Sequence, residues 1–302
     1  MSASLESLVG AELALPVDPR VAEMAAAVAA RHPRAARAVL FYGSCLRESQ
    51  LDGLMLDFYL IVSDYADAYD RRWLAAANRL IPPNVFPMEH GGLSAKYAVL
   101  SETDFHRLCG PGADNVSVWA RFAQPTRLVW TADDAARGRM TAAVAQAVPT
   151  FLVLALPAVA ADRRGDWRAV FEAGFAKTYG AELRAERKGR GVSILDSAPD
   201  YYRAAFAAAR EDGAIDPARP MDAREEADNA RTWRRLQRRG KWLSIARLAK
   251  ASFTFAGGID YLAWKINRHA GTRIVITPWQ RRHPLLAAVM LLPRLVANRT
   301  VG

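Results

Sequence analysis

A serine after a glycine and a lone acid downstream have the types and spacing that phosphate chemistry uses. Phe41-Tyr42-Gly43-Ser44 is followed, thirteen positions after the serine, by Asp57 inside the apolar run Leu54-Met55-Leu56-Asp57-Phe58-Tyr59-Leu60-Ile61-Val62. Glycine lets the main chain come close to a ligand, so a strand ending in Gly43-Ser44 predicts a turn whose backbone N–H groups can cradle phosphate oxygens. A carboxylate on an apolar strand costs several kcal/mol unless its charge is compensated, most simply by Mg²⁺. Together they predict phosphate binding beside a metal-holding acid, the geometry of phosphoryl transfer.

The elements that must carry these groups follow from periodicity. Residues 21–37 read as an amphipathic helix, and 38–42 and 54–62 as two strands around the Gly-Ser turn. Ser94 to Leu100 reads as a third strand after a turn-rich stretch from Ile81 to Gly92. Phe105 to Leu108 and Val118 to Phe122 read as helical pieces, and Thr126 to Trp130 as a fourth strand. Beyond Ala135 the pattern turns helical and alanine-rich, which puts a domain boundary between Thr131 and Arg139. Thr141 to Ala161 carries no charge and is long enough to span a membrane. Gln146, Pro149 and Pro157 interrupt it, so a pair of core helices is the preferred reading. Leu285 to Val296 is too short to span.

Length and composition suit a folded chain of two domains: 302 residues, 51% hydrophobic and 24% charged. The first nineteen residues lack the charged and apolar regions of a secretory signal. The two cysteines, Cys45 and Cys109, read as free thiols in a reducing compartment, and the five histidines show no metal-ligand spacing. The net charge of +10 is concentrated at one end: from Arg231 onward there are fifteen Lys or Arg and a single acid, Asp260. Trp233, Trp242, Tyr261, Trp264 and Trp279 are interleaved with these cations. Aromatic rings beside cations suit the interface of an anionic membrane, while the alternative is a helical core with solvated arginines. No nucleic-acid-binding pattern is recognisable, so nucleic acid is not expected as a partner.

Strand, Gly-Ser turn and acid on the next strand form a nucleotidyltransferase signature. That superfamily usually places a second acid two residues after the first; here that position is Tyr59. Asp52 is a candidate for the missing metal ligand, or else part of an Asp52-Gly53 turn.

With the basic tail included, the chain resembles the mitochondrial-type phosphatidate cytidylyltransferases, which also carry an apolar residue at the second-acid position. Ala95-Lys96-Tyr97-Ala98-Val99 is similar to the family's Lys-Tyr-Gly-Val strand. Ala120-Arg121-Phe122-Ala123-Gln124-Pro125 is similar to its Gly-Arg-Leu-Gln-Lys-Pro helix end, and Tyr179 to Arg184 to its Tyr-Ala-Gly-Asp-Ile-Arg segment. Phe253 to Lys265 resembles its basic C-terminal segment. The family's long segment after the acid strand is shortened here to Asp64 through Gly92.

The resemblance implies an α+β fold. A polymerase-beta-like mixed-sheet nucleotidyltransferase domain would occupy residues 1–135, an α-helical domain 136–230, and a basic helical segment for membrane contact 231–302. It implies CTP and phosphatidate as substrates, Mg²⁺ as cofactor, CDP-diacylglycerol and pyrophosphate as products, and peripheral attachment to the inner face of the cell membrane. Tyr42, Gly43 and Ser44 are expected at the CTP triphosphate, Asp57 at the metal, and Lys96 at a phosphate oxygen unless it is a solvent-facing strand lysine. Arg121 is expected at nucleotide or lipid phosphate unless it only caps its helix. Glu182 and Arg184 would line the cleft or form a surface ion pair, and Lys250, Lys265 and Arg268 would meet lipid headgroups. Another lipid phosphate as acceptor, an RNA-modifying nucleotidyltransferase, and a degenerate nucleotidyltransferase serving as a binding module remain alternatives.

Overall fold

The computed structural model describes residues 4–48, 50–181, 194–254 and 275–282. The architecture is α+β, a five-stranded mixed sheet with helices on both faces. The strands are β1 (Ala36–Tyr42), β2 (Met55–Val62), β3 (Asn84–His90), β4 (Leu93–Ser101) and β5 (Arg127–Thr131). Their order is β3-β4-β2-β1-β5, with β2 and β4 parallel and the other neighbours antiparallel.

Alternation along the strands gives the sheet two apolar faces. Val39, Phe41, Leu56, Phe58, Leu60, Tyr97 and Val99 form one, and helix α2 (Pro19–Ala30) covers it with Val21, Met24 and Val28. Leu40, Tyr59, Ile61, Ala98 and Leu100 form the other, which merges into the helical layer. That layer contains α1 (Leu5–Leu13), α5 (Glu102–Cys109), α6 (Trp119–Phe122), α7 (Asp134–Ala145), α8 (Ala147–Ala155), α9 (Trp167–Tyr179), α10 (Pro199–Glu211) and the first part of α11 (Ala223–Thr254). One hydrophobic cluster therefore runs from Leu5 through Tyr59, Trp119, Phe151 and Tyr202 to Leu236. The step from mixed to helical structure falls where expected, between β5 and the Asp133 cap of α7. Packing, however, is continuous across it.

Several elements differ from the sequence reading. The helix expected over 21–37 ends at Ala30, and β1 begins at Ala36 rather than Ala38. Pro33 has no N–H to give and disfavours helical backbone at His32, which stops the helix. The turn-rich stretch holds β3, joined to β4 by Gly91-Gly92, whose φ of 54° and 77° suit a two-residue hairpin. Pro87 hid this strand. It is tolerated because β3 lies at the sheet edge. The segment before it also forms α3 (Tyr65–Ala68) and α4 (Arg72–Leu80).

The uncharged stretch is largely core. Asp134–Ala158 meets the length and apolarity of a membrane-crossing helix, yet 56% of its most apolar window is buried inside the fold. Pro149 sits in the first turn of α8, where no intrahelical N–H is required. Trp233, assigned above to an interfacial tail, is also a core residue, 2% exposed and donating its indole N–H to the Leu154 carbonyl at 2.9 Å.

His32 is buried between α2 and the sheet, with Nδ1 2.9 Å from the Ala68 carbonyl and Nε2 3.3 Å from the Tyr97 hydroxyl. The carbonyl can only accept, so Nδ1 carries the proton and Nε2 accepts from Tyr97. Burial holds the imidazole below its ordinary value, against the opposing pull of the Ala68 carbonyl. A depressed folded-state value means that stability is full above the unfolded value of about 6.5 and is lost as pH falls towards the folded one. Between about pH 7.5 and about pH 5.5 the melting temperature of the wild type should therefore fall further than that of His32→Gln. Equal falls in thermal melts would show that other groups carry the acid sensitivity.

Candidate active site

β1 delivers the chain to Gly43 at φ 93° and ψ −163°, a conformation essentially restricted to glycine. The backbone then enters a 3₁₀ turn over Ser44–Arg47, so the N–H groups at its start have no partner within the turn. A β-carbon built on Gly43 would lie 3.5 Å from Asp57 Oδ2. The turn thus rests directly against the acid.

Strand register brings the remaining groups to the same level. Tyr42 pairs with Asp57 across β1 and β2, and Asp57 pairs with Lys96 across β2 and β4. Alternation puts Tyr42 with Leu40, Asp57 with Tyr59, and Lys96 with Ala98, all on the face that meets the helical layer. Lys96 Nζ lies 3.1 Å from Asp57 Oδ1, with side chains 39% and 22% exposed. The approach is off the direction of a hydrogen bond, and the buried Oδ1 has no hydrogen-bond donor among the described residues. Asp57 therefore keeps an unused acceptor beside a cation that compensates only its charge.

Aromatic contacts bring α6 to this face of the sheet. The Tyr42 ring is 5.1 Å from Tyr59 and 6.0 Å from Phe122, the neighbour of Arg121. Arg121 donates to the Ser117 carbonyl and, with Gln124, lines a pocket closed by Phe175, Thr178 and Tyr179 of α9. Gln124 and Thr178 were not singled out from sequence. Their contribution comes from two helices meeting, which no local pattern marks.

Cys45 is the buried residue of the turn, 6% exposed, with its thiol 3.5 Å from the Met55 carbonyl. Burial, then the Asp57 charge, pushes its pKa up, so the thiol stays protonated and structural.

Other predicted residues are located elsewhere. Asp52 Oδ1 is held 3.0 Å from Arg20 Nη1, at the start of the helix covering the opposite face from Asp57. The structure brings it to a surface ion pair and shows no link to Asp57 that would make it a second ligand. Lys250, expected at a lipid headgroup, instead donates to the carbonyls of Ile81 and, at 2.8 Å, Pro83. Arg247 holds the same loop, reaching the Pro82 carbonyl at 2.8 Å and the Ser117 hydroxyl at 2.7 Å. Burial, then the Arg247 charge, brings the Lys250 ammonium down to about 7. This pair clamps α11 onto the entry to β3. Glu182, Arg184, Lys265 and Arg268 lie outside the described residues.

No protein-family model matches the chain, and no curated protein matches it.

Among the described residues no group of three or more His, Cys, Asp or Glu side chains could hold a metal ion. A closed protein site is therefore not built from them. One carboxylate with a buried, unsatisfied oxygen does fit an Mg²⁺ that arrives with phosphates, because Mg²⁺ is commonly held by one or two carboxylates plus substrate oxygens. Chemically, the arrangement offers backbone donors, one metal-competent acid and a cation around one point.

The glycine at position 43 is testable by itself. Gly43→Ala forces an alanine into a glycine-only conformation and should cost about 1–3 kcal/mol, read as a lower urea midpoint. An unchanged midpoint would mean that the turn relaxes freely and is not held against Asp57.

Proposed function

We propose that this protein is an Mg²⁺-dependent nucleotidyltransferase that transfers the cytidylyl group of CTP to phosphatidate at a membrane surface, giving CDP-diacylglycerol and pyrophosphate. The observation that carries the reading is the Gly43-Ser44 turn resting on Asp57, with Lys96 on the neighbouring strand 3.1 Å from the same carboxylate. The choice of CTP and phosphatidate rests on the family resemblance.

The acceptor is a phosphate monoester whose second pKa is about 6, so its attacking oxygen is already ionised at neutral pH. No strong general base is required. That oxygen forms a bond to the α-phosphorus while the bond from the α-phosphorus to the oxygen bridging the β-phosphorus breaks, and both electrons leave with pyrophosphate. Backbone N–H groups at Gly43 and Ser44 hold the triphosphate, and Tyr42 forms the wall beside it. Asp57 Oδ1 would hold Mg²⁺, which when bound neutralises charge on the phosphates. Lys96 adds a cation to the leaving group, and Arg121 one to the nucleotide or the acceptor phosphate.

The exposed arc of α11 supports a membrane surface as the place of reaction. Arg234, Arg235, Arg238, Lys241 and Trp242 are exposed along one side, Trp242 at 71%, while Trp233 and Leu236 are buried on the other. Cations near an anionic bilayer contribute about 1 kcal/mol each, and an exposed tryptophan suits the headgroup level.

Pyrophosphate release should require CTP, Mg²⁺ and a lipid phosphate together, and Asp57→Asn should reduce it by at least about a thousandfold. A panel of phosphatidate, phosphorylated sphingoid lipid and RNA as acceptors identifies the substrate. No release with any of them would remove the enzymatic reading. Sedimentation with vesicles should favour anionic over zwitterionic lipid, and Trp242→Ala with Arg238→Glu should reduce the bound fraction severalfold. Equal sedimentation by wild type and variant would detach the α11 face from membrane contact.

A further inference from the structure

The cation beside Asp57, in a pair between two strands, differs from the well-covered ion pair that joins the sheet to a helix. Arg127 meets Glu12 Oε1 at 2.5 Å, with the two side chains only 15% and 16% exposed, and the same Nη1 lies 3.3 Å from the Glu12 carbonyl and 3.1 Å from the Thr126 carbonyl. Such a pair is locked by its surrounding acceptors. Among the described residues Lys96 has no such support. It meets Asp57 Oδ1 off the hydrogen-bonding direction, leaves that oxygen without a donor, and remains 39% exposed.

Adjacent strands lie about 4.8 Å apart, well within the reach of a four-carbon lysine stem. Lys96 closes onto Asp57 from the next strand with length to spare. It can therefore extend outward without backbone movement. Gly43 matters here as well, because it puts no side chain between its turn and Oδ2, where a β-carbon would stand only 3.5 Å from that oxygen.

We infer that Lys96 is a gate on the metal position: in the free protein its ammonium stands in for the divalent ion at Asp57, and a metal enters only with a polyphosphate that draws the ammonium away. This rests on the reading of Asp57 as the metal carboxylate. The physical reason is competition for one acceptor. An ammonium about 3 Å from a partly covered carboxylate offsets most of what a lone cation would gain there. A triphosphate supplies the ammonium with a new partner and brings its own oxygens to the metal, so both exchanges become favourable together. Binding is then ordered, with metal and nucleotide entering as one unit. The consequence for the cell is that free divalent ions do not occupy the site in the absence of nucleotide.

The test is Mn²⁺ binding to the purified full chain, followed by the electron paramagnetic resonance signal of free Mn²⁺. It is run with Mn²⁺ alone and with the unreactive α,β-methylene analogue of CTP. The wild type should bind Mn²⁺ at least about tenfold more tightly with the analogue than without it. Lys96→Met and Lys96→Gln should each bind Mn²⁺ alone about tenfold more tightly than the wild type, shrinking the difference, whereas Lys96→Arg should keep it. If both neutral variants, folded by circular dichroism, bind Mn²⁺ alone no more tightly than the wild type, the gate is wrong. Asp57→Asn separates that result from failure of the site itself. It should abolish analogue-dependent Mn²⁺ binding, and retention of wild-type binding would remove both the metal assignment and the gate.

Discussion

A carboxylate on an otherwise apolar central strand is the constraint around which this structure is arranged. Asp57 is flanked by Leu56 and Phe58 and faces the helical layer with Tyr59 and Ile61, an environment that would cost several kcal/mol for an uncompensated charge. Charge compensation comes from one side and close packing from the other. The Gly43 turn brings the end of β1 against Oδ2, and parallel pairing with β4 delivers the Lys96 ammonium to Oδ1. Neither contact satisfies Oδ1 by hydrogen bonding. The fold thus tolerates the acid without saturating it, and an unsaturated acceptor can still take a metal.

Holding that point open requires the sheet and the helices to behave as one body. The cluster that begins at Leu5 and ends at Leu236 ties α1 and α11, far apart in sequence, to the same sheet face. Phe122 meets Tyr42 at a tilt and Tyr59 edge to face, which fixes α6 on the face that carries the acid, and Arg247 with Lys250 clamps α11 to the loop before β3. The face that carries Asp57 is therefore packed against elements from much of the described chain. Its cations serve two purposes: Lys96 stays half exposed at the acid, whereas Lys250 is spent on carbonyls.

Much of the sheet was legible because strands buried on both faces read as continuous apolar runs, as Leu54 to Val62 does. The five-stranded order was less so. β3 contains Pro87 and ends in Met88-Glu89-His90, a pattern tolerated only because the strand lies at the edge. The early stop of α2 was readable in Pro33 and was overrun by the amphipathic pattern before it. Trp233 and Trp242 look alike in sequence, yet one is sealed against Leu154 and the other is exposed. Their nine-residue separation puts them on opposite sides of α11, and only the packing of α11 says which side is core.

The sequence by itself determined the chemistry available at the strand end: a glycine able to take positive φ, a serine after it, and an acid in an apolar run. Those are local properties, set by residue type and by two-residue alternation. Tertiary structure alone decided which cations meet that acid. Lys96 reaches Asp57 because β2 and β4 pair in parallel with residue 57 opposite residue 96, while Asp52, only five positions from Asp57, is drawn to Arg20 at the helix over the other face. Register and layer order are cooperative outcomes of burying both faces of the sheet. No window of sequence contains them.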